Sequence, residues 1–284
     1  MSLVVVVAAC AVGAAAGGAA VPWVIGRLPE PPAPEEAEEP DDPEDSEDSE
    51  DPAVAATDAV LEDEPPARPP RKPVPDFSLW GMHAVERDKE PYREMAAVPH
   101  LLVGCVLVSA LVGGLLGWWI GADPALAILV PVVPVAVAIA VVDWRARLVP
   151  NRLVRPATAY VVAAGLAVWA VTGDHDDLVR AAIAMVVVRS FFWVLWFIRA
   201  AGMGFGDVRL AGLLAFVLGY LGPGEVFLGV WLGFLVFGLP GVLVAVVKRD
   251  FRLMRVPFPF GPFMLVGALL GVFLGQPVVD ALYG

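Results

Sequence analysis

Eight long apolar runs constrain this chain more than any other feature of its sequence. A helix needs about 20 apolar residues to cross the hydrocarbon core of a bilayer. Only helices and closed barrels satisfy their backbone groups in lipid, and these runs lack the alternation of barrel strands. The sequence therefore predicts an all-α, polytopic membrane bundle of about eight transmembrane helices. They lie at roughly 2–26, 98–121, 124–142, 154–172, 178–200, 207–222, 225–247 and 258–281.

Composition agrees with this class, because 58% of the 284 residues are hydrophobic and only 18% are charged, against about a quarter charged in soluble domains. The formal net charge of −12 comes from one segment, since 17 of the 31 Asp and Glu lie within residues 30–64. The rest of the chain is net basic, but it has no basic face large enough for nucleic acid. We therefore expect no nucleic-acid partner.

The distribution of apolar and acidic residues along the sequence divides the chain into three predicted parts. Residues 1–27 form a first transmembrane helix, which we expect to be retained because no Lys or Arg precedes it as in a signal peptide. Residues 28–96 form an acidic, Pro-rich linker that is predicted to be disordered, with a short interfacial helix at 77–95. Residues 97–284 form a membrane domain of seven helices. We interpret the linker as a spacer or a partner-binding tether.

The basic residues predict how the chain lies in the membrane. Ten of the 12 Lys and Arg after residue 97 fall in or beside the connections at 143–153, 200–206 and 248–257. Cytoplasmic loops carry such an excess of positive charge. We therefore expect a multi-pass protein of the plasma (inner) membrane, surrounded by lipid, with both termini outside and the acidic linker in the cytoplasm.

Two acidic residues stand at the cytoplasmic ends of predicted spans. Asp143 ends the third span, and Asp207 opens the sixth span after the glycine-rich residues 202–206. An acid in or at the edge of a membrane helix is costly and suggests function. Two carboxyl groups that share a site do not both ionise readily, which provides an acid and a base for activating a water molecule. Acids at span ends also commonly mark only the water boundary, so composition leaves both interpretations open.

The glycines before Asp207 offer a physical reason for the local structure. Glycine permits close backbone approach and unusual dihedral angles. A carboxylate at the start of a helix is stabilised by the helix dipole. We therefore expect Gly202, Gly204 and Gly206 to shape a loop that presents Asp207.

The residues around both acids resemble motifs of the type IV prepilin peptidases. Residues 143–151, Asp-Trp-Arg-Ala-Arg-Leu-Val-Pro-Asn, resemble that family's first-aspartate motif, and residues 202–211 resemble its Gly-x-Gly-Asp motif. Arg209 stands where the family often has Lys. Residues 257–263 resemble the turn that opens the family's last helix, and residues 26–29 give a weaker likeness. The resemblance covers residues 97–284 well.

This resemblance implies an integral-membrane aspartic endopeptidase that removes the basic leader of type IV prepilins or pseudopilins, Flp-like or competence-type, at the cytoplasmic face. Asp143 and Asp207 would be the catalytic aspartates, and Pro150 and Asn151 would fix the turn after the first. Other components of a pilus or secretion assembly would be further partners.

One departure from the family concerns cofactors. Many bifunctional members carry paired Cys-x-x-Cys zinc motifs after the first span and also N-methylate the new terminus with S-adenosylmethionine. Residues 28–96 contain no cysteine, which excludes that zinc site and makes methyltransferase activity doubtful. Cys10 and Cys105 lie within apolar runs with no ligand at metal spacing. We therefore expect no metal and no cofactor.

Several alternatives remain open at this stage. Arg189 lies in the middle of the fifth span, where it could contact substrate or a catalytic aspartate, or bind backbone carbonyls; Arg209 is a second candidate charge partner. The alternative functions are a catalytically silent scaffold of a pilus or type II secretion machine and a small transporter. A transporter commonly shows an inverted repeat, and the two halves of this chain show none.

Overall fold

A computed structural model describes residues 2–29, 92–198, 204–248 and 259–283. Throughout these ranges the regular structure is helical and no strand occurs, which confirms the all-α prediction. The acidic segment and most of the predicted interfacial helix lie outside the described residues. The helices are α1 (Leu3–Ile25), α2 (Tyr92–Ala96), α3 (Leu101–Ile120), α4 (Leu126–Leu129), α5 (Val132–Ala146), α6 (Asn151–Thr172), α7 (Asp176–Ile198), α8 (Phe205–Leu221), α9 (Pro223–Lys248) and α10 (Gly261–Tyr283).

Six segments of the described chain are long and apolar enough to cross a membrane, so this is a multi-pass membrane protein. They are Leu3–Ile25, Leu101–Ile120, Leu126–Ala146, Asn151–Thr172, Asp176–Ile198 and Gly261–Leu282. The other two predicted spans correspond to α8, which has 17 residues, and to α9, which has 26 residues. The predicted helix positions are therefore roughly confirmed, and α8 is shorter than an ordinary span.

Small residues allow the helices to approach closely, as is common in membrane bundles. In α3, a methyl group added at Gly113 would lie 2.5 Å from Cβ of Ala14 in α1. In α8, a methyl group added at Gly219 would lie 2.6 Å from Cβ of Ala184 in α7. Gly233 of α9 and Gly267 of α10 likewise meet backbone to backbone. The structure thus joins α1 with α3, α7 with α8, and α9 with α10 into close pairs.

The short helix α8 is the central element of the membrane domain. It contacts α6, α7, α9 and α10, and all but one of its residues from Leu210 to Tyr220 are buried. A helix covered on all sides by protein does not need the length of a lipid-facing span. This position brings the start of α8 close to the starts of α6 and α10. The motif at residues 143–151 and the motif at residues 202–211 meet there.

Candidate active site

Asp143 lies in the last turn of α5 and is only 3% exposed. The helix ends at Ala146, and Arg147 adopts a left-handed conformation (φ 54°, ψ 38°) whose N–H donates to the carbonyl of Asp143 at 2.8 Å. Pro150 is extended and caps α6, and Asn151 is the first residue of that helix. Pro150 and Asn151 therefore form a helix start that follows directly on the loop after Asp143.

The first turn of α10 holds the carboxylate of Asp143. The backbone N–H of Gly261 donates to Oδ2 of Asp143 at 2.9 Å in a buried hydrogen bond. A helix N-terminus has unpaired N–H groups and a dipole that both favour an anion. A Cβ at residue 261 would lie 2.7 Å from Oδ2 and 3.3 Å from Cγ of Asp143. Glycine at position 261 therefore leaves the space that the carboxyl group occupies.

Asp207 lies in the first turn of α8 and is 6% exposed. Its Oδ2 accepts a hydrogen bond from the N–H of Gly204 at 3.0 Å, and its own N–H donates to the carbonyl of Gly204 at 3.0 Å. This reciprocal pair resembles a capping box in which backbone replaces the N-cap side chain. Asp207 is therefore part of the first turn of its own helix, α8, whereas Asp143 is held by the first turn of another helix, α10.

The glycines before Asp207 do not act through unusual dihedral angles where the structure describes them. Gly204 is extended (φ −73°, ψ 148°), a conformation open to any residue, and Gly206 has no positive φ. Gly206 acts through close approach, since a Cβ there would lie 2.7 Å from Cβ and 3.1 Å from the carbonyl oxygen of Val149. Gly202 lies outside the described residues. The loop after Asp143 therefore packs directly on the helix that carries Asp207.

A second contact joins the two motifs. The guanidinium group of Arg209 donates a hydrogen bond to Oδ1 of Asn151 and lies 4.6 Å from the centre of the Phe205 ring. Arg209 therefore links the start of α8 to the start of α6.

These contacts produce one site from the two separate motifs. Asp143 and Asp207 lie close enough for the charge of the first to act on the second. Each has one carboxyl oxygen held by a backbone N–H, and the other oxygen accepts no hydrogen bond from another described residue. Two buried carboxyl groups with free oxygens can bind a water molecule and exchange protons with it.

Arg189 occupies a different place. It lies in α7 with its side chain exposed, and its stem packs on Gly212 of α8. It lines a pocket between α6, α7 and α8, and neither Asp143 nor Asp207 is among the residues of that pocket. No hydrogen bond joins Arg189 to either aspartate within the described residues.

A known family matches the part of the chain that carries both aspartates. The sequence pattern of the Type IV leader peptidase family matches residues 128–239. This part of the chain is similar to that family. The leader peptidase match ends before Gly261, so the residue that holds Asp143 comes from outside it.

Curated relatives extend the match. Proteins named prepilin leader peptidase/N-methyltransferase are 27% identical over 183 residues in Pseudomonas putida, 30% over 149 residues in Burkholderia pseudomallei and 28% over 145 residues in Bacillus subtilis. The alignments cover 63%, 49% and 51% of this chain and 59%, 44% and 54% of the relatives. The chain therefore spans about half the length of the curated relatives it matches. No solved structure is significantly similar to it.

Reasoning from the sequence did not assign a role to Gly261 or to Val149. Gly261 belongs to the third motif, residues 257–263, whose resemblance to a family turn was visible. Its contact with Asp143 could not be read from the sequence, because 118 residues separate them. Val149 could not be identified from the sequence, because the chain contains many aliphatic residues. Its role becomes visible only from its contact with Gly206.

Proposed function

We propose that this chain is an aspartic endopeptidase of the plasma membrane that removes the leader peptide of type IV prepilins or pseudopilins, Flp-like or competence-type, at the cytoplasmic face. Asp143 and Asp207 are its catalytic residues. The observation that carries the proposal is the pairing of two buried carboxyl groups, each held at one oxygen by a backbone N–H at a helix start. The similarity of residues 128–239 to the leader peptidase family supports the same reaction.

The reaction needs one ionised and one protonated carboxyl group. The carboxylate takes a proton from a water molecule, and the resulting hydroxide attacks the carbonyl carbon of the scissile peptide bond. The protonated carboxyl group donates its proton to the leaving nitrogen as the C–N bond breaks. Mutual repulsion of two negative charges in a buried site favours this singly ionised state. Either aspartate can serve as the base in this scheme.

An apolar groove beside Asp143 suits the apolar segment that follows a prepilin leader. The groove has a volume of about 260 Å³ and is lined by residues of α3, α4, α5, α8 and α10. It includes Ala140, one helical turn before Asp143, and Pro262, the neighbour of Gly261. A substrate helix in this groove would enter the site from the membrane and present the peptide bond at its cytoplasmic end to the aspartates.

The test is cleavage of a co-expressed prepilin by wild type, Asp143→Asn and Asp207→Asn, followed as a shift in gel mobility. Asparagine has nearly the size of aspartate but neither gives nor takes the proton. Loss of general acid–base catalysis lowers rates by about 10²–10⁴-fold. The matched control is Asp176→Asn, an exposed acid at the start of α7. Cleavage by either active-site variant at the wild-type rate would contradict the two-aspartate mechanism.

The same experiment separates the enzyme from a silent scaffold of a pilus or secretion machine. A scaffold would support pilus assembly equally well in wild type and in both asparagine variants, with no leader removed. Mass analysis of the new N-terminus decides whether methylation accompanies cleavage. Labelling of single cysteines placed at Arg147 and at Asp174 with a membrane-impermeant reagent tests the orientation. The proposal requires position 147 to be protected in intact cells.

A further inference from the structure

Three arginines from three different helices line one pocket. Arg155 of α6, Arg189 of α7 and Arg209 of α8 lie around a cavity of about 640 Å³, and the charges of the first two act on the third. No acidic residue lines this pocket, and within the described residues no carboxylate pairs with any of the three. The described part of the chain therefore brings three positive charges together with no carboxylate in the lining of the pocket.

The position of Arg189 makes this arrangement costly. It lies in the middle of α7, a helix long and apolar enough to span the membrane, and its side chain is exposed at the surface of the bundle. A charge at this depth costs several kcal/mol unless it has a partner or water. Its stem packs on Gly212 of α8, and Arg189 is one of the residues that line the pocket. An anion in the pocket would remove the cost.

The pocket is polar at one end and apolar at the other. Along α6 its lining runs from Arg155 to Leu166, about 17 Å at the rise of an α-helix. Arg209 is in the first turns of α8, as Arg155 is in α6, so these two charges lie near helix starts, and Arg189 adds a third charge from the middle of α7. Val162, Ala163 and Leu166 line the other end, together with Met185 of α7. A ligand that fills this pocket has an anionic end and an apolar end.

We propose that this pocket binds the phosphodiester headgroup of an anionic membrane lipid. The guanidinium groups bind the phosphate, for which arginine is well suited because it offers several N–H donors in one plane. An acyl chain lies along the apolar part of α6 and α7. Basic pockets between transmembrane helices bind anionic headgroups in this way. Lipid binding and peptide cleavage can fail independently, because Asp143 and Asp207 do not line the pocket.

Native mass spectrometry of the purified full-length chain tests this assignment. Phosphatidylglycerol and phosphatidylcholine with identical acyl chains are added, and the fraction of protein that retains each lipid is measured. We expect wild type to retain phosphatidylglycerol preferentially. Arg155→Gln and Arg189→Gln should each lower its retention about fivefold, the usual contribution of one arginine to anionic lipid binding. Arg189→Lys keeps the charge and should retain most of the lipid.

The matched control is Arg152→Gln, which removes an exposed arginine three residues before Arg155 in α6 but outside the pocket. Gel filtration and thermal melting establish that each variant is folded. Equal retention in wild type and in both glutamine variants, or an equal loss in Arg152→Gln, overturns the proposal.

Two competitors distinguish other sources of the anion. Displacement of phosphatidylglycerol by millimolar inorganic phosphate would make the pocket a site for free phosphate and not for lipid. Displacement by a synthetic peptide of residues 30–64, which holds 17 of the acidic residues, would assign the pocket to an acidic protein segment. Either result overturns the lipid assignment, whereas retention of the lipid in the presence of both supports it.

Discussion

The backbone N–H of Gly261 lies 2.9 Å from Oδ2 of Asp143, across 118 residues of sequence. This hydrogen bond makes the first turn of α10 a part of the site that α5 and α8 form. An unpaired N–H at a helix start is an available donor, and its use here orients the carboxyl group without any other side chain. No other described residue is found to donate a hydrogen bond to the second oxygen of Asp143.

Substitution of Gly261 by Ala should abolish most cleavage while the protein still folds. The added Cβ would lie 2.7 Å from Oδ2, so the carboxyl group must move. A displacement of about 1 Å in an active site can lower the rate about 10²-fold. The measurement is the initial rate of leader removal at equal expression. Gly104→Ala in α3 is the matched control, since a methyl group there meets nothing within 4 Å; equal rates in the two variants would disprove the role assigned to Gly261.

The two glycines of the second motif should respond differently to alanine. A Cβ at Gly206 would lie 2.7 Å from Cβ of Val149, whereas one at Gly204 would be 3.5 Å from Oδ2 of Asp207 at an ordinary contact distance. Overpacking of this kind costs about 1–3 kcal/mol. Gly206→Ala should therefore lower both the melting temperature in detergent and the cleavage rate, while Gly204→Ala keeps most of each. The reverse order would show that close packing on Val149 is not the reason for Gly206.

A larger side chain in the apolar groove should weaken substrate binding. Ala140 lines the groove one turn from Asp143, and leucine there would occupy space offered to the substrate helix. We expect Ala140→Leu to raise KM several-fold with a smaller change in kcat, because the aspartates are untouched. Ala167→Leu on the exposed surface of α6 is the control. If both variants have the wild-type KM, the substrate helix does not use this groove.

Arg180 should matter for stability and not for chemistry. Its guanidinium donates to the carbonyls of Gly219 and Tyr220 at 2.7 and 2.9 Å and to Oδ1 of Asp177 at 2.6 Å. These bonds cap the last carbonyls of α8, where a positive charge also favours the helix dipole. Arg180→Ala should lower the free energy of unfolding by about 2 kcal/mol. Thermal melting measures this loss, and a cleavage rate that falls more than the folded fraction would contradict the purely structural role.

The sequence was sufficient to predict the helical class and the approximate place of the long helices that the structure describes. The reason is that an apolar run of membrane length satisfies its backbone hydrogen bonds in lipid by forming a helix. The predicted span at 207–222 was already about as short as α8, but the burial of this helix by four neighbouring helices could not be predicted. The reason for Gly206 was also only half predictable. Glycine permits both unusual dihedrals and close contact, and only the position of Val149 shows which of the two is used.

The candidate site divides in the same way. Asp143 and Asp207 were identifiable as candidates because their neighbours resemble known motifs, whereas an acid at a span end alone commonly marks only the water boundary. The hydrogen bond from Gly261 to Asp143 was not predictable, because a backbone N–H is present in almost every residue and carries no sequence signature. The grouping of Arg155 with Arg189 likewise depends on the packing of α6 against α7 and α8, which a positive-inside count does not reveal.

The bond from Gly261 to Asp143 also has a consequence for biogenesis. The ribosome produces Asp143 well before it reaches residue 261, so a nascent chain holds this acid while its backbone donor is still missing. The hydrogen bond forms only once α10 has been made and has packed against α5. A chain whose synthesis stops before that helix would therefore carry both acids, with Asp207 already held by Gly204 and Asp143 still unheld at Oδ2.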